Sequence, residues 1–262
     1  MSVHRATTSP FAFYLKQQAR NAEGAGVAFR EEPLAASATS DTLRRHLSEL
    51  DADPAVDAVL LEHPLPAEYD FRGAVRALRA EKDVDGASTE NLGRLVQGIP
   101  TQAPAVALGA MALLRHYGYD VAGRRVTVIG RSETVGMPLA LLLLARAEGA
   151  NATVTVAHSR SGDLHRGLEG AEFVLSCAGR PGLLTREIVP KGATVVDIGL
   201  SSVPDPSKPG GQRAAGDADL ASLDGWASAV TPTPGGTGPV TVAQLMLNAV
   251  HAWELLHPPG GP

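Results

Sequence analysis

Residues 125–136 read RVTVIGRSETVG, Arg125 to Gly136, and this stretch decides the fold. Val126 to Ile129 are all apolar or β-branched, which suits a strand covered on both faces better than one alternating between core and solvent. Gly130 ends the run with no Cβ, and the apolar residues from Val135 onward read as a helix. In a strand–glycine turn–helix of this kind the backbone amides of the turn face outward at the positive helix end, where a pyrophosphate is held. The spacing is not G-x-G-x-x-G, and tight strand–helix connections also use glycine without a ligand. The turn alone therefore leaves both readings open.

Working outward, ATVTVAHS (Ala152 to Ser159), FVLSCAG (Phe173 to Gly179) and ATVVDIG (Ala193 to Gly199) repeat the pattern of an apolar strand closed by Gly, His or Ser. Short helical stretches separate them, so a parallel sheet with helices on both faces is expected. On the amino-terminal side, helices are expected over Phe11 to Ala25, from a Ser40-Asp41 cap to Leu50, over Phe71 to Ala80 and over Ala105 to Tyr117. A strand is expected at Ala58 to Glu62, stopped by His63-Pro64-Leu65-Pro66. Ser201 to Gly216 reads as a Pro/Gly/Ser-rich loop, and Val240 to Leu256 as a last helix. The fold class is α/β with two domains: a shortened α/β substrate domain over 1–110 and a Rossmann-like parallel-sheet domain over 111–238. The helix in 239–262 returns to the first domain.

Composition sets the outer limits. The chain has 262 residues, 44% hydrophobic and 19% charged, enough for two cores. Leu139 to Ala147 is the most apolar run, and Arg146 and Glu148 close it well short of the roughly 18 residues that cross a bilayer. The single Cys177 excludes an intramolecular disulfide. MSVHRATTSPFAFYLK has no apolar segment behind a basic head, so a cytoplasmic protein without a signal peptide is expected. Net charge is −5, from 23 Lys+Arg against 28 Asp+Glu, and the densest basic clusters are the pairs Arg44-Arg45 and Arg124-Arg125. No basic stripe is present to neutralise phosphates, so no nucleic-acid partner is expected. Neither a metal site nor a membrane partner is expected.

The strand after the glycine turn ends His158-Ser159-Arg160. NAD-selective sheets commonly carry Asp or Glu at this point, to bind the ribose 2′-hydroxyl. Here nothing repels a 2′-phosphate, and Ser159 with Arg131 or Arg160 suits one. The reading favours NADP over NAD. His158 is read as a cap without a catalytic role.

HPLP (63–66), KDVDG (82–86), N-x-GRL (91–95), VIGRSETVGMP (128–138), AHS (157–159), VVDIG (195–199), GD (216–217) and TPTPGGTGPVT (231–241) occur in this order. Together they resemble the methylenetetrahydrofolate dehydrogenase/cyclohydrolases of folate one-carbon metabolism. The resemblance implies NADP on the carboxy-terminal domain, a tetrahydrofolate one-carbon derivative on the amino-terminal domain, a cleft between them, and a homodimer. It assigns Gly130, Arg131, Ser132 and Ser159 to the cofactor and puts Leu200 near the nicotinamide. Pro234, Gly235 and Gly236 become the loop that closes on substrate. Asp85 would accept hydrogen bonds from the pterin.

Departures from the family pattern are as informative as the matches. The family helix Ser-x-x-Tyr-x-x-x-Lys, with Tyr on the pterin and Lys in catalysis, maps onto Phe11, Tyr14 and Gln18. Tyr14 and Gln18 are four apart and share a face, whereas Lys16 is about 200° round the helix from Gln18 and points away. Where the family strand ends in Gln before Pro-Leu-Pro, this chain has Glu62. The polar groups of the family's P-C-T-P-x-G are replaced in Pro104 to Gly109. A helix and a strand that precede the Tyr/Lys helix in the family are expected to be missing.

Hydride transfer from methylenetetrahydrofolate needs mainly positioning. Hydrolysis of the methenyl cation needs a group that cycles a proton, which Gln18 does not. The expected function is therefore NADP-dependent oxidation of methylenetetrahydrofolate, with the cyclohydrolase weak or lost. The catalytic candidates are Tyr14, Gln18, Glu62 and Asp85. Glu62 either stabilises cationic character as a carboxylate or, buried and protonated, stands in for the missing Gln as a donor. A relative redirected to another substrate, or a non-catalytic dinucleotide-binding protein, are the alternatives.

Overall fold

A computed structural model describes residues 1–5, 11–35, 37–63, 65–99, 101–205, 207 and 211–259; the side chains of residues 5 and 11–14 are outside it. The chain forms two compact units, residues 1–105 with 242–262, and residues 106–241.

In the first unit the elements are β1 (Ser2–Arg5), α1 (Phe11–Gly24), β2 (Glu31–Leu34), α2 (Ser40–Ala52), β3 (Leu60–Leu61), α3 (Phe71–Val75) and α4 (Thr89–Gln97). The strands form a parallel sheet in the order β2-β1-β3, with Ser2 opposite Glu31 on one side and Leu60 on the other. The central strand β1 is one that the family resemblance led us to expect missing. Its four residues, SVHR, are too short and too polar to signal a strand by pattern.

Helix α2 buries Leu43, Leu47 and Leu50, one stripe at helical spacing, against Val3, Val59 and Leu61 of the sheet layer. Each fully buried leucine stabilises the layer by about 2 kcal/mol. Its cap is Thr39, whose hydroxyl accepts from Thr42 N at 3.2 Å. Ser40, expected to share that role with Asp41, instead accepts from Asp70 N and donates to Glu68 O. The expected strand over 58–62 pairs as a ladder only at Leu60–Leu61, with a single bridge from Val59 to Asp83. The expected helix over 71–80 is α3 alone; past Val75 the hydrogen bonds tighten to three-residue turns, Ala77 N to Ala74 O and Leu78 N to Val75 O.

The second unit takes most of α5 (Ala105–His116), then β4 (Arg125–Ile129), α6 (Gly136–Leu144), β5 (Thr153–Ala157), α7 (Leu164–Leu168), β6 (Phe173–Ser176) and β7 (Thr194–Asp197). It continues with β8 (Ser201–Pro204), β9 (Gln212–Ala215), α8 (Leu220–Leu223) and β10 (Ala229–Val230). Five strands are parallel, in the order β10-β7-β6-β4-β5. Val126 and Val128 face a core with Leu139, Leu143, Leu175 and Val196, while Ile129, Val174 and Val195 face another with Leu168, Leu184 and Leu223. Both faces are covered, as the unbroken apolar strands require. The stretch expected to be a loop, 201–216, contains the antiparallel pair β8–β9.

The final helix α9 (Thr237–Leu256) starts three residues before the expected Val240. Pro239 sits in its first turn, where the missing N–H removes no helical bond. From Val242 onward it belongs to the first unit, where Leu245 and Ala252 pack with Leu60 and Val84. Asn248 Nδ2 donates to Val84 O at 2.8 Å and Ala103 O at 2.9 Å, and its own carbonyl accepts from Gln102 Nε2 at 3.1 Å.

Candidate active site

The sheet of the second unit reverses its strand order at β4, whose neighbours are β5 and β6. In parallel α/β sheets the crevice at such a reversal, outside the carboxyl ends of the strands, is where ligands sit. Gly130 occupies that end of β4 with φ +121, and a Cβ there would lie 2.5 Å from Cys177 Sγ. Gly136, the first residue of α6, is packed so closely that a Cβ would lie 2.3 Å from Gly130 O. These two glycines let the start of the helix press against the end of the strand.

Between them, Ser132 Oγ accepts from Val135 N at 3.1 Å and Gly136 N at 3.3 Å, which shapes the turn from inside. Arg131 and Ser132 are both exposed. After β5, Ser159 and Arg160 are exposed, while His158 closes the local turn by accepting from Arg160 N on Nδ1 at 3.1 Å. No carboxylate occurs among residues 157–161. Burial and the nearby Asp217 push the Cys177 thiol up to about 12, so it is a neutral wall of the turn and not a nucleophile.

Two buried carboxylates hold the loops after β6 and β7. Asp217 accepts from Ser176 Oγ at 2.6 Å, Ala178 N at 2.8 Å and Arg180 N at 2.6 Å. Asp197 accepts from Gly199, Asp217 and Ala218 amides at 2.9–3.0 Å. The backbone of Asp197 also anchors the last loop, because Asp197 N donates to Thr231 Oγ1 and Asp197 O accepts from Thr237 Oγ1. Leu200, just before β8, is 68% exposed. Pro234 follows a cis peptide bond and, with Gly235 at φ +103, is exposed; Gly236 N donates to Pro232 O at 2.8 Å.

The first unit holds a different kind of cluster. Gln18 on α1 is 0% exposed and Glu62, just past β3, is 6% exposed. Gln18 Nε2 donates to Glu62 Oε1 at 2.7 Å, and Ser2 Oγ on β1 donates to the same oxygen at 3.0 Å. Gln18 Oε1 is buried and has no hydrogen-bond partner among the described residues. Lys16 is exposed, on the other side of α1. Burial raises the Glu62 carboxyl above its ordinary range, opposed by the two donors and by His4. His4 is itself buried, 3.5 Å from Glu31. Tyr14 lies on α1, but its side chain is outside the described residues.

Within Lys82 to Gly86 the polar side chains divide by task. Lys82 Nζ donates to Asp51 O and Asp53 O, both at 2.8 Å, and so caps the end of α2. Asp83 accepts from Ser88 N at 2.7 Å and Asn91 Nδ2 at 3.1 Å, and so holds the start of α4. Among the described residues Asp85 accepts one long bond, from Ala105 N at 3.3 Å. Although half-buried by area, it lies deep enough that desolvation, with Asp83 and Glu62 adding like charge, pushes it up to about 8. Of the three, Asp85 is the one with lone pairs to spare.

Sequence reasoning brought Gln18 and Glu62 to attention separately, and the fold puts them in contact. It missed Ser2 and His4, which depend on β1, and Asp197 and Asp217. The GD and VVDIG motifs could have signalled the last two.

A doubly wound parallel sheet with a glycine turn at its reversal point defines a dinucleotide-binding α/β protein. The chain belongs to the tetrahydrofolate dehydrogenase/cyclohydrolase family: residues 104–257 match its NAD(P)-binding domain and residues 4–85 its catalytic domain. It is 44% identical over 246 residues to the bifunctional protein FolD of Parasynechococcus marenigrum, covering 94% of this chain and 80% of that protein. The methylenetetrahydrofolate dehydrogenase-cyclohydrolase of Trypanosoma brucei, solved with NADP and an inhibitor, superposes with a TM-score of 0.89 at 32% identity, covering 97% of this chain and 86% of that one. A 5,10-methylenetetrahydrofolate dehydrogenase from the silkworm Bombyx mori gives 0.88 at 32% identity, with the same coverage.

Proposed function

We propose that this chain is an NADP-dependent 5,10-methylenetetrahydrofolate dehydrogenase in which hydrolysis of the methenyl product is weak or lost. The observation that carries the reading is the fully buried carboxamide of Gln18, bonded to Glu62 at 2.7 Å at the position the family resemblance gives to a lysine.

The residues present fit the cofactor. Gly130 and Gly136 leave no room for a Cβ where the backbone of the turn closes, which is the condition for amides to reach a phosphate. The exposed Arg131, Ser159 and Arg160 supply charge and hydroxyl for a 2′-phosphate, with no carboxylate to oppose it. When bound there, NADP would supply the acceptor for the hydride of the methylene carbon, whose loss would leave the folate as the methenyl cation.

The chain's own residues bind and orient. Asp85, with one weak partner among the described residues, accepts from the pterin N–H groups. Leu200 presents an apolar surface to the nicotinamide, and Pro234 to Gly236 shape the covering loop. Positioning of this kind is enough for hydride transfer. Water addition to the cation asks for more, because a proton has to be taken up and passed on. A carboxamide has no proton to cycle near neutrality, and Lys16 is on the wrong face of α1.

The test follows NADPH absorbance and methenyltetrahydrofolate consumption in parallel. Wild type is expected to form NADPH from methylenetetrahydrofolate and to leave the methenyl compound near its rate of hydrolysis in buffer. Gln18→Lys is expected to speed the second process. Absence of NADPH at high enzyme overturns the dehydrogenase; methenyl hydrolysis by wild type as fast as hydride transfer overturns the loss of cyclohydrolase.

A further inference from the structure

The segments VVDIG (195–199) and GD (216–217) have no part in the glycine turn, and the fold interlocks them. Each aspartate packs on the other segment's glycine. A Cβ on Gly199 would run into the Asp217 carboxyl group, and one on Gly216 would run into Asp197 Oδ2. The two glycines therefore leave room for two acids to be buried side by side, Asp217 at 0% exposure and Asp197 at 1%.

The partners of the Asp217 carboxyl group are donors without charge. Oδ1 accepts from Arg180 N, and Oδ2 accepts from Ala178 N and Ser176 Oγ. A carboxylate suits three donors because both oxygens accept, whereas a carboxamide would meet one of them with its own N–H. The charge comes with that role, and nothing nearby cancels it. Asp197 adds a second acid whose carboxyl partners are the amides of Gly199, Asp217 and Ala218. No lysine, arginine or histidine side chain among the described residues pairs with either carboxyl group, and Arg180, which gives Asp217 its backbone N–H, is exposed.

The charge is felt at the crevice. Burial, and after it the charge of Asp217, raises the Cys177 thiol, and Cys177 Sγ is the atom that a Cβ on Gly130 would meet at 2.5 Å. On its other side Asp217 touches Gly199, the residue before Leu200. Oxidised and reduced dinucleotides carry the same phosphates and differ by one unit of charge on the nicotinamide, positive in NADP⁺ and neutral in NADPH. A buried charge without a counterion near that ring separates the two forms, because water does not screen it as it would at the surface.

We propose that Asp217 sets the redox preference of the cofactor site, favouring NADP⁺ over NADPH through its uncompensated charge. This rests on the reading above that Leu200 faces the nicotinamide. Asp217 is also a positioning residue for the loop after β6, so the test has to separate charge from shape.

The experiment titrates the full-length protein near neutral pH with NADP⁺, followed by calorimetry, and with NADPH, followed by its fluorescence. The readout is the ratio of the two dissociation constants. Wild type is expected to bind NADP⁺ at least as tightly as NADPH, and Asp217→Asn to shift the ratio about fivefold toward NADPH. Ser176→Ala removes one donor and keeps the charge, so both nucleotides are expected to weaken together at the wild-type ratio. An Asp217→Asn ratio equal to that of wild type, or a Ser176→Ala ratio shifted as far as that of Asp217→Asn, overturns the proposal while cofactor binding stands. Binding of neither nucleotide by wild type overturns the cofactor reading with it. If Asp217→Asn does not fold, the wild-type ratio decides by itself, and tighter binding of NADPH overturns the proposal.

Discussion

Gly136 and Gln18 are both buried, and they serve their units in opposite ways. Gly136 matters for the atoms it lacks: the start of α6 reaches Gly130 only because no Cβ stands between them. Gln18 matters for atoms it has and does not fully pair, one amide group bonded to Glu62 on the nitrogen side only. The turn in the second unit is thus set by close backbone approach, braced by the hydroxyl of Ser132. The cluster in the first unit is set by side-chain chemistry, and a change of one functional group alters what it does.

The comparison breaks most visibly at Gly136. Gly136→Ala puts a methyl against backbone, which cannot swing aside as a side chain would. A loss of about 3 kcal/mol is expected, with NADP binding lost as well. Thermal melting and an NADP titration check this, and a variant that melts like wild type shows that the strand–helix approach is looser than it looks.

Asp85 tests the other side of the comparison through pH. Its folded value is raised from 3.8 to about 8, so the folded state binds the proton more tightly than the unfolded chain. The stabilisation is complete below the ordinary aspartate range and is lost as pH rises through about 8. Solvent reaches part of the side chain, so we expect roughly 2 kcal/mol across that window rather than the full linkage value. Urea midpoints at acid and mildly alkaline pH should differ in wild type, and Asp85→Asn should remove most of the difference.

Smaller still is Ser159→Asp. A carboxylate at the end of β5 opposes a 2′-phosphate and suits a ribose hydroxyl, so NADP affinity should fall about tenfold relative to NAD. An unchanged ratio would mean that Ser159 does not face the adenosine end. Arg44→Ala sets the floor: its pair with Asp41 is exposed at both ends, and a change below about 0.5 kcal/mol in the urea midpoint is expected.

The same contrast explains what the amino-acid sequence made legible. β4, the turn and α6 could be read directly because long apolar strands and glycines without alternatives leave a strong local pattern. The cluster around Glu62 could not, because half of it arrives on β1. Neither SVHR nor the EEPL of β2 carries an apolar alternation, and their pairing is settled by the layer beneath them. The hairpin β8–β9 was hidden for a related reason: its strands, SSVP and QRAA, are half polar and half exposed, and their composition is that of a loop. Helix α4 went unread although Ser88 caps it and Gly98 ends it in the left-handed conformation. The motif N-x-GRL drew attention to residues inside it and away from its ends. Gln18 and Glu62 were each visible as departures from a pattern, but their contact across 44 residues of sequence was not.

Three of the hydrogen bonds of Asn248 span 145, 146 and 164 residues of sequence. The first unit is therefore written in two pieces, with all five strands of the larger sheet, Arg125 to Val230, lying between them. On the ribosome the larger sheet has every pairing partner in hand before α9 is made. The smaller unit lacks Leu245, Asn248 and Ala252 until the last turns of that helix emerge, so it is completed after the larger sheet has all its strands.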